Sequence, residues 1–213
     1  MPFMSTDRQA MLDTMARMQE AHNRQVHPDW RTRRYEYYRA IWIECAELLD
    51  HFGWKWWKRQ EPDLAQVKLE LVDIWHFGLS ELLRADAVEP QLALMLDLAP
   101  SEDPGPESLR QAVEALASAC LTSKGFSVER FADLMRALPM TFDELFRLYV
   151  GKNVLNGFRQ DHGYKDGTYR KAWAGREDNE HLMELLDGID QPATAAEVLY
   201  AKLEARYRET AAR

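Results

Sequence analysis

The sequence predicts an all-α chain, a helical bundle core with an additional variable helical lobe. Three observations lead there. Apolar residues recur at helical spacing, as in Met11, Met15 and Met18, and again in Leu64, Val67, Leu71, Ile74 and Trp75. Capping-box spacings, a threonine followed three residues later by Glu or Gln, occur at Thr6-x-x-Gln9, Thr141-x-x-Glu144 and Thr194-x-x-Glu197. β-Branched alternation is sparse and no Asn-Gly hairpin signal occurs, so sheet is not expected.

Taken in order, Thr6 opens a first helix, which His27-Pro28-Asp29-Trp30 breaks. A second helix is expected over about 32–51, stopped near Gly53. Asp63 caps a third, whose apolar side carries Leu64, Val67, Leu71, Ile74 and Trp75. Ser101 to Pro106 is a loop by composition, and short helices follow over 107–120 and 128–137. Thr141 opens a helix running to Asn156 or beyond, and 161–167 form an exposed loop rich in Gly and polar residues. Thr194 starts a terminal helix bearing Leu199, Leu203 and Tyr207. The length of 213 residues suits one all-α domain over 1–213, with 85–140 as a variable lobe within it.

Charge narrows the function classes. With 35 acids against 27 bases the chain carries −8, against a general nucleic-acid-binding surface, which needs a concentrated basic face. No apolar run approaches the ~20 residues that span a bilayer, so no membrane partner is expected. The first residues lack the basic-then-apolar pattern of a secretory leader. Cys45 and Cys120 have no metal-type spacing and fit a reducing, cytoplasmic location. A nucleotide is still a possible ligand, because carboxylates can hold a triphosphate through metal ions. Local cations exist to help: Lys55, Lys58 and Arg59 form one cluster, and 151–171 holds five cations against two acids.

Two acidic doublets inside apolar helical runs carry the chemistry, Glu44-x-x-Glu47 and Glu70-x-x-Asp73. Residues three apart share a helix face, so each doublet aims two carboxylates one way. An isolated doublet is ordinarily a solvated face. These interrupt Ile-Trp-Ile, Leu-Leu, Leu-Val and Ile-Trp, which suggests a buried seam, where acids need compensation. Hard oxygen donors at that density suit Mg²⁺, with Mn²⁺ as a substitute, and point to a metal-dependent phosphate enzyme. A ferritin-like di-iron site is a rival, but only Asp73-x-x-His76 approaches its Glu-x-x-His motif, with no second copy. Asp50 extends the first row and reads as a helix-end residue or a supporting one.

Lys152, Asn156 and Arg159 follow at i, i+4 and i+7 and share a face if the helix continues. They form either a solvated basic face or a reader in which cations meet phosphates and the amide meets a base edge. Tyr164, Lys165 and Tyr169 stand in the Gly-flanked loop beyond, where their donors could close over phosphates. Gln19 and Asn23 lie one turn apart, and a carboxamide offers both donor and acceptor to uracil's O4 and N3–H.

The blocks Ile41–Lys58, Asp63–Phe77 and Gly151–Tyr169, in this order, resemble the dimeric all-α dUTP diphosphatases (dUTPases), within the superfamily of the MazG-type nucleotide pyrophosphohydrolases. The resemblance spans most of 15–180 and is weakest across 85–140. It implies Mg²⁺-dependent hydrolysis of dUTP, and of dUDP, to dUMP by a homodimer, keeping uracil out of DNA. It further implies that Glu44, Glu47, Glu70 and Asp73 hold two or three Mg²⁺ ions, with Glu44 or Glu47, and by preference Glu47, activating water. Gln19 and Asn23 would hold the base and Trp56 wall its pocket, while Trp54 and Trp57 pack in the core. His76 is either a sugar contact or a satisfied core histidine. The alternatives are a related enzyme acting on dCTP or non-standard nucleotides, and a catalytically dead helical protein binding a partner through 85–140.

Overall fold

The computed structural model describes residues 3–99, 101, 105–187 and 192–211. They form two compact units, Met1–Phe146 and Arg147–Arg213. Nine helices occur among the described residues, and the only strands among them are two of two residues each, so the chain is all-α as expected.

The first unit holds α1 (Phe3–Val26), α2 (Tyr37–Phe52), α3 (Leu64–Arg84), α4 (Pro90–Leu96), α5 (Pro106–Ser123), α6 (Val128–Ala137) and the start of α7 (Phe142–Asp161). α3 is its central rod, packed on α2 and α1, while α5 packs on α2 and α6. The sequence explains this placement. Val67, Leu69, Leu71, Val72, Ile74, Trp75 and Leu79 are all fully buried, leaving α3 apolar nearly all round. Each large side chain so buried contributes about 1.5–3 kcal/mol. Trp75 stacks on Phe131 at 5.2 Å, and Phe126 closes over Gly78, where an added Cβ would lie 2.6 Å from its ring. That close approach requires glycine.

Two of the expected caps are formed. The Asp63 side chain accepts from the Gln66 N–H at 3.1 Å, and Thr141 Oγ1 accepts from the Glu144 N–H at 3.2 Å. Gly53 ends α2, its N–H bonding to the Leu49 carbonyl.

Several boundaries differ from the sequence expectation. α1 begins at Phe3, so Thr6 lies inside the helix rather than at its cap. α2 begins at Tyr37 rather than near 32, because the preceding residues are drawn into turns around a buried Trp30. Leu64, expected on the apolar side, is 52% exposed at the first turn of α3. α4 was not foreseen; its proline at N1 and buried Leu92, Ala93 and Leu96 explain it. The helices expected over 107–120 and 128–137 are α5 and α6. Of the expected Ser101–Pro106 loop, residues 102–104 lie outside the described residues.

The second unit continues α7 and adds β1 (Ala172–Trp173), β2 (Arg176–Glu177), α8 (Asp178–Asp187) and α9 (Pro192–Ala211). The strands form one antiparallel hairpin, turned by Ala174 and Gly175, both at positive φ. Neither the hairpin nor α8 was expected. α9 begins at Pro192, two residues before Thr194, and buries Leu199 and Leu203 as anticipated. Phe158, Trp173 and Tyr207 build an aromatic core around it, with ring centroids 5.2–5.9 Å apart.

Candidate active site

In the first unit, α2 supplies Glu44 and Glu47, and α3, packed against it, supplies Glu70 and Asp73. Carboxylate oxygens of Glu44, Glu47 and Glu70 all lie within 4.8 Å of one another. Asp73 is close enough to act on Glu44 by its charge. Burial is graded rather than uniform, a correction to the expected buried seam. Glu70 is 5% exposed, Glu44 and Asp73 are half-buried, and Glu47 opens to solvent. Burial, followed by the charges of Asp73 and Glu70, pushes the Glu44 carboxyl up to about 9. Crowding of this kind is relieved by a cation placed among the oxygens, and an all-carboxylate donor set matches a hard divalent ion. His51, at the end of α2, brings Nε2 to 3.4 Å from Glu70 Oε1. Sequence reasoning passed over it, although it stands one turn beyond Glu47.

One turn further along α3 is a second cluster, wholly buried. Gln19 Nε2 donates to Asn23 Oδ1 and to Ser80 Oγ, each at 3.0 Å. Asn23 Nδ2 donates to Ser80 Oγ at 3.0 Å, and Gln19 Oε1 meets His76 Nδ1 at 2.7 Å. Ser80 Oγ donates to the His76 carbonyl at 2.9 Å. Tyr37 reaches Ser80 as well, and burial pushes its hydroxyl up to about 12. The structure thus brings the expected Gln19, Asn23 and His76 together. Ser80 was missed; its one signal was its position four residues after His76.

In the second unit, Lys152, Asn156 and Arg159 share a face of α7, as their spacing implied. Lys152 is 1% exposed, so this is no solvated face. Its Nζ donates to Asn179 Oδ1 at 2.9 Å. Arg159 Nη1 donates to Asn156 Oδ1 at 3.2 Å, and its Nε and Nη2 each donate to Asp178 at 2.8 Å. The Tyr169 hydroxyl donates to Asp178 Oδ2, also at 2.8 Å. Burial pushes the Asp178 carboxyl up, but the hydrogen bonds and charge of Arg159 outweigh it and hold it below the usual range. Asp178 and Asn179, at the start of α8, were not anticipated; acids opening a helix after a short hairpin were the available signal. Tyr164 and Lys165 are exposed on the turn past α7, with the Tyr164 ring 5.9 Å from the Arg159 guanidinium. Gly163, at φ +85°, makes that turn, and a Cβ there would meet Thr168 Oγ1.

The loop between α2 and α3 presents its tryptophans outward. Trp56 is 90% exposed and meets Trp57 edge-on at 5.4 Å. Trp54 and Trp57, expected in the core, are 46% and 57% exposed, which corrects that expectation. Asp50 holds the loop to α2, accepting from Lys55 Nζ at 2.5 Å and Trp54 Nε1 at 3.0 Å. Gln60 Oε1 accepts from the Trp54 and Lys55 N–H groups, at 3.0 and 2.7 Å. Arg59 pairs with Glu61 at 2.6 Å.

The sequence model of a family described as dUTPase matches residues 11–164, well over half the chain. That span contains all four carboxylates, the Gln19 cluster and the tryptophan loop, and it ends before Lys165, Tyr169 and Asp178. No curated protein matched the chain.

Proposed function

The chain belongs to the dUTPase family, and from that membership we propose a Mg²⁺-dependent cleavage of the α–β phosphoanhydride of dUTP, giving dUMP and pyrophosphate. As a dUTP diphosphatase it is a nucleotide hydrolase, of a family that is generally metal-dependent. Keeping uracil out of DNA is the role this activity would serve, and dUDP would be a second substrate. The observation that carries the proposal is the meeting of Glu44, Glu47 and Glu70 oxygens within 4.8 Å on two packed helices.

Glu44, Glu47, Glu70 and Asp73 would hold two or three Mg²⁺ ions, or Mn²⁺ in their place. Bound there, the metal supplies polarisation of the phosphoryl group and a lowered pKa for water. Glu47 is the open member of the set, which supports reading it as the carboxylate that would orient an entering water and take its proton. Glu70 is buried beside His51 and would serve as a fixed ligand. Gln19, Asn23 and His76 would face the nucleoside. Trp56, exposed on its loop, has an aromatic face available to cover a base. From the second unit, Lys152, Asn156, Arg159, Tyr164, Lys165 and Tyr169 are proposed as phosphate and nucleoside contacts. The cations there would stabilise charge on the departing phosphates.

A homodimer is proposed on the family resemblance. A cytoplasmic location is proposed on the two free, buried cysteines. Among the described residues no helix is long and apolar enough to cross a membrane.

Turnover of dUTP, dUDP, dCTP and dTTP, each with Mg²⁺ and with EDTA, tests the assignment. We expect dUTP and dUDP to be cleaved with Mg²⁺ only. Equal cleavage of dCTP would replace the uracil assignment with a broader pyrophosphohydrolase, and activity in EDTA would remove the metal. Light scattering on the purified chain tests the dimer.

A further inference from the structure

We infer that Arg110 is a positioning residue for the tryptophan loop: reaching in from α5, it clamps the peptide on which the loop leaves α2 and so sets where Trp56 stands over the nucleotide. The lobe spanning 85–140 thereby takes a part in substrate binding. This deepens the proposed function and rests on its reading of Trp56 as the ring that covers the base.

The loop begins at Gly53, whose φ of +96° turns the chain out of α2. A carbonyl at the end of a helix has no partner within the helix and must find one outside it. For Gly53 that partner is Arg110, which donates to the one oxygen from Nε at 3.1 Å and from Nη2 at 2.8 Å. The same guanidinium lies over the Phe52 ring, 5.5 Å from its centroid, so the last side chain of α2 holds it as well. Glu107, one turn earlier on α5, meets Arg110 Nη1 at 3.5 Å.

The other edge of the same peptide is also held. The Trp54 N–H donates to Gln60 Oε1 at 3.0 Å, and the Lys55 N–H donates to that oxygen at 2.7 Å. A peptide group is planar, so fixing its carbonyl and its N–H fixes the plane. The two holds differ in origin. Gln60 belongs to the loop and moves with it. Arg110 stands 57 residues along the chain from Gly53, on a different helix, and ties the loop to the lobe. From the clamped peptide the chain runs on to Trp56, whose ring meets Trp57 edge-on at 5.4 Å, and Trp57 meets Trp54 at 5.3 Å. A shift at the clamp is carried through these contacts to the exposed Trp56 ring.

Two variants separate the hydrogen bonds from the packing. Arg110→Met keeps an unbranched stem along Phe52 but has no donor. Arg110→Gln places an amide nitrogen where Nε stands and so keeps one of the two bonds. The Arg110 side chain is 34% exposed, so both should fold, which circular dichroism checks. Hydrogen exchange of the Trp54 and Lys55 amides, read by NMR without substrate, should quicken about tenfold in Arg110→Met and less in Arg110→Gln. With dUTP and Mg²⁺, KM should rise about fivefold in Arg110→Met while kcat stays within about twofold of wild type, and Arg110→Gln should recover most of the loss. Trp56→Ala should raise KM too, and adding Arg110→Met to it should change little, because both act through one ring. Unchanged exchange in Arg110→Met overturns the inference, and a lower melting temperature alone would reduce Arg110 to a cap on α2. Quicker exchange with KM unmoved also overturns it, provided Trp56→Ala still raises KM. Should Trp56→Ala leave KM unmoved, the inference falls with the reading of Trp56 beneath it, and that outcome alone places the failure in the proposed function.

Discussion

Arg159 holds Asp178 through two nitrogens at once, Nε to Oδ2 and Nη2 to Oδ1, both at 2.8 Å. The carboxylate is fully buried and the guanidinium nearly so. Removing one partner of such a pair leaves a buried charge without its counter-ion, at a cost of about 3–5 kcal/mol. We expect Asp178→Ala to lose about that much stability in urea unfolding. Because the folded Asp178 carboxyl lies below its usual range, its contribution is present above the unfolded value, about 3.9, and is lost as pH falls through the lower folded one. The wild-type protein should therefore lose its advantage over Asp178→Asn on acidification; an advantage independent of pH would exclude this account.

The Glu44 carboxyl makes the opposite prediction. Its folded value is raised to about 9 from 4.5, so the folded protein binds more protons than the unfolded chain between those values. Stability then falls as pH rises through that window. Thermal unfolding in EDTA should show a midpoint declining between about pH 5 and about pH 9, and Glu44→Gln should flatten the decline. Added Mg²⁺ should raise the wild-type midpoint and do little for the variant. A wild-type midpoint insensitive to both pH and Mg²⁺ would count against carboxylate crowding.

Glu47→Gln keeps the size of the side chain and removes its charge. At an open position this should leave the fold intact by circular dichroism. Turnover should fall below a tenth of wild type, a loss of at least about 1.4 kcal/mol in transition-state stabilisation. Retention of more activity than that would assign the water to another carboxylate.

Lys165 sits on the exposed turn made by Gly163. Lys165→Ala should weaken binding of dUTP more than binding of deoxyuridine, since an ammonium aimed at phosphate adds little to base or sugar contact. Equal losses for both ligands in calorimetry would show that it shapes the pocket instead.

Features that local chemistry determines were legible in the sequence. The Asp63 and Thr141 caps bond within their own first turns, and the two acidic doublets follow from helical spacing alone. The start of α2 was not legible, because burial of Trp30 is a tertiary event that draws the preceding residues into turns. Trp54 and Trp57 misled for the same reason: an apolar side chain prefers burial, yet the short loop tied by Asp50 and Gln60 turns them outward. Ser80 and Asp178 had only faint signatures, a place one turn after His76 and a place at the start of a helix. A serine on an apolar helix, or an acid opening a helix, acquires its meaning from partners 57 or 19 residues away.

α3 sets a length standard for this enzyme. Glu70, Asp73, His76 and Ser80 are fixed on one rigid rod, and ten positions of helix advance by roughly 15 Å. The spacing between carboxylates and polar cluster is therefore a property of helical pitch and cannot be adjusted by side-chain motion alone. Inserting one residue between Asp73 and His76 would slide the two groups apart by about 1.5 Å and swing one about 100° round the axis. Every side chain would survive such a change, but the gearing between the two groups would be lost.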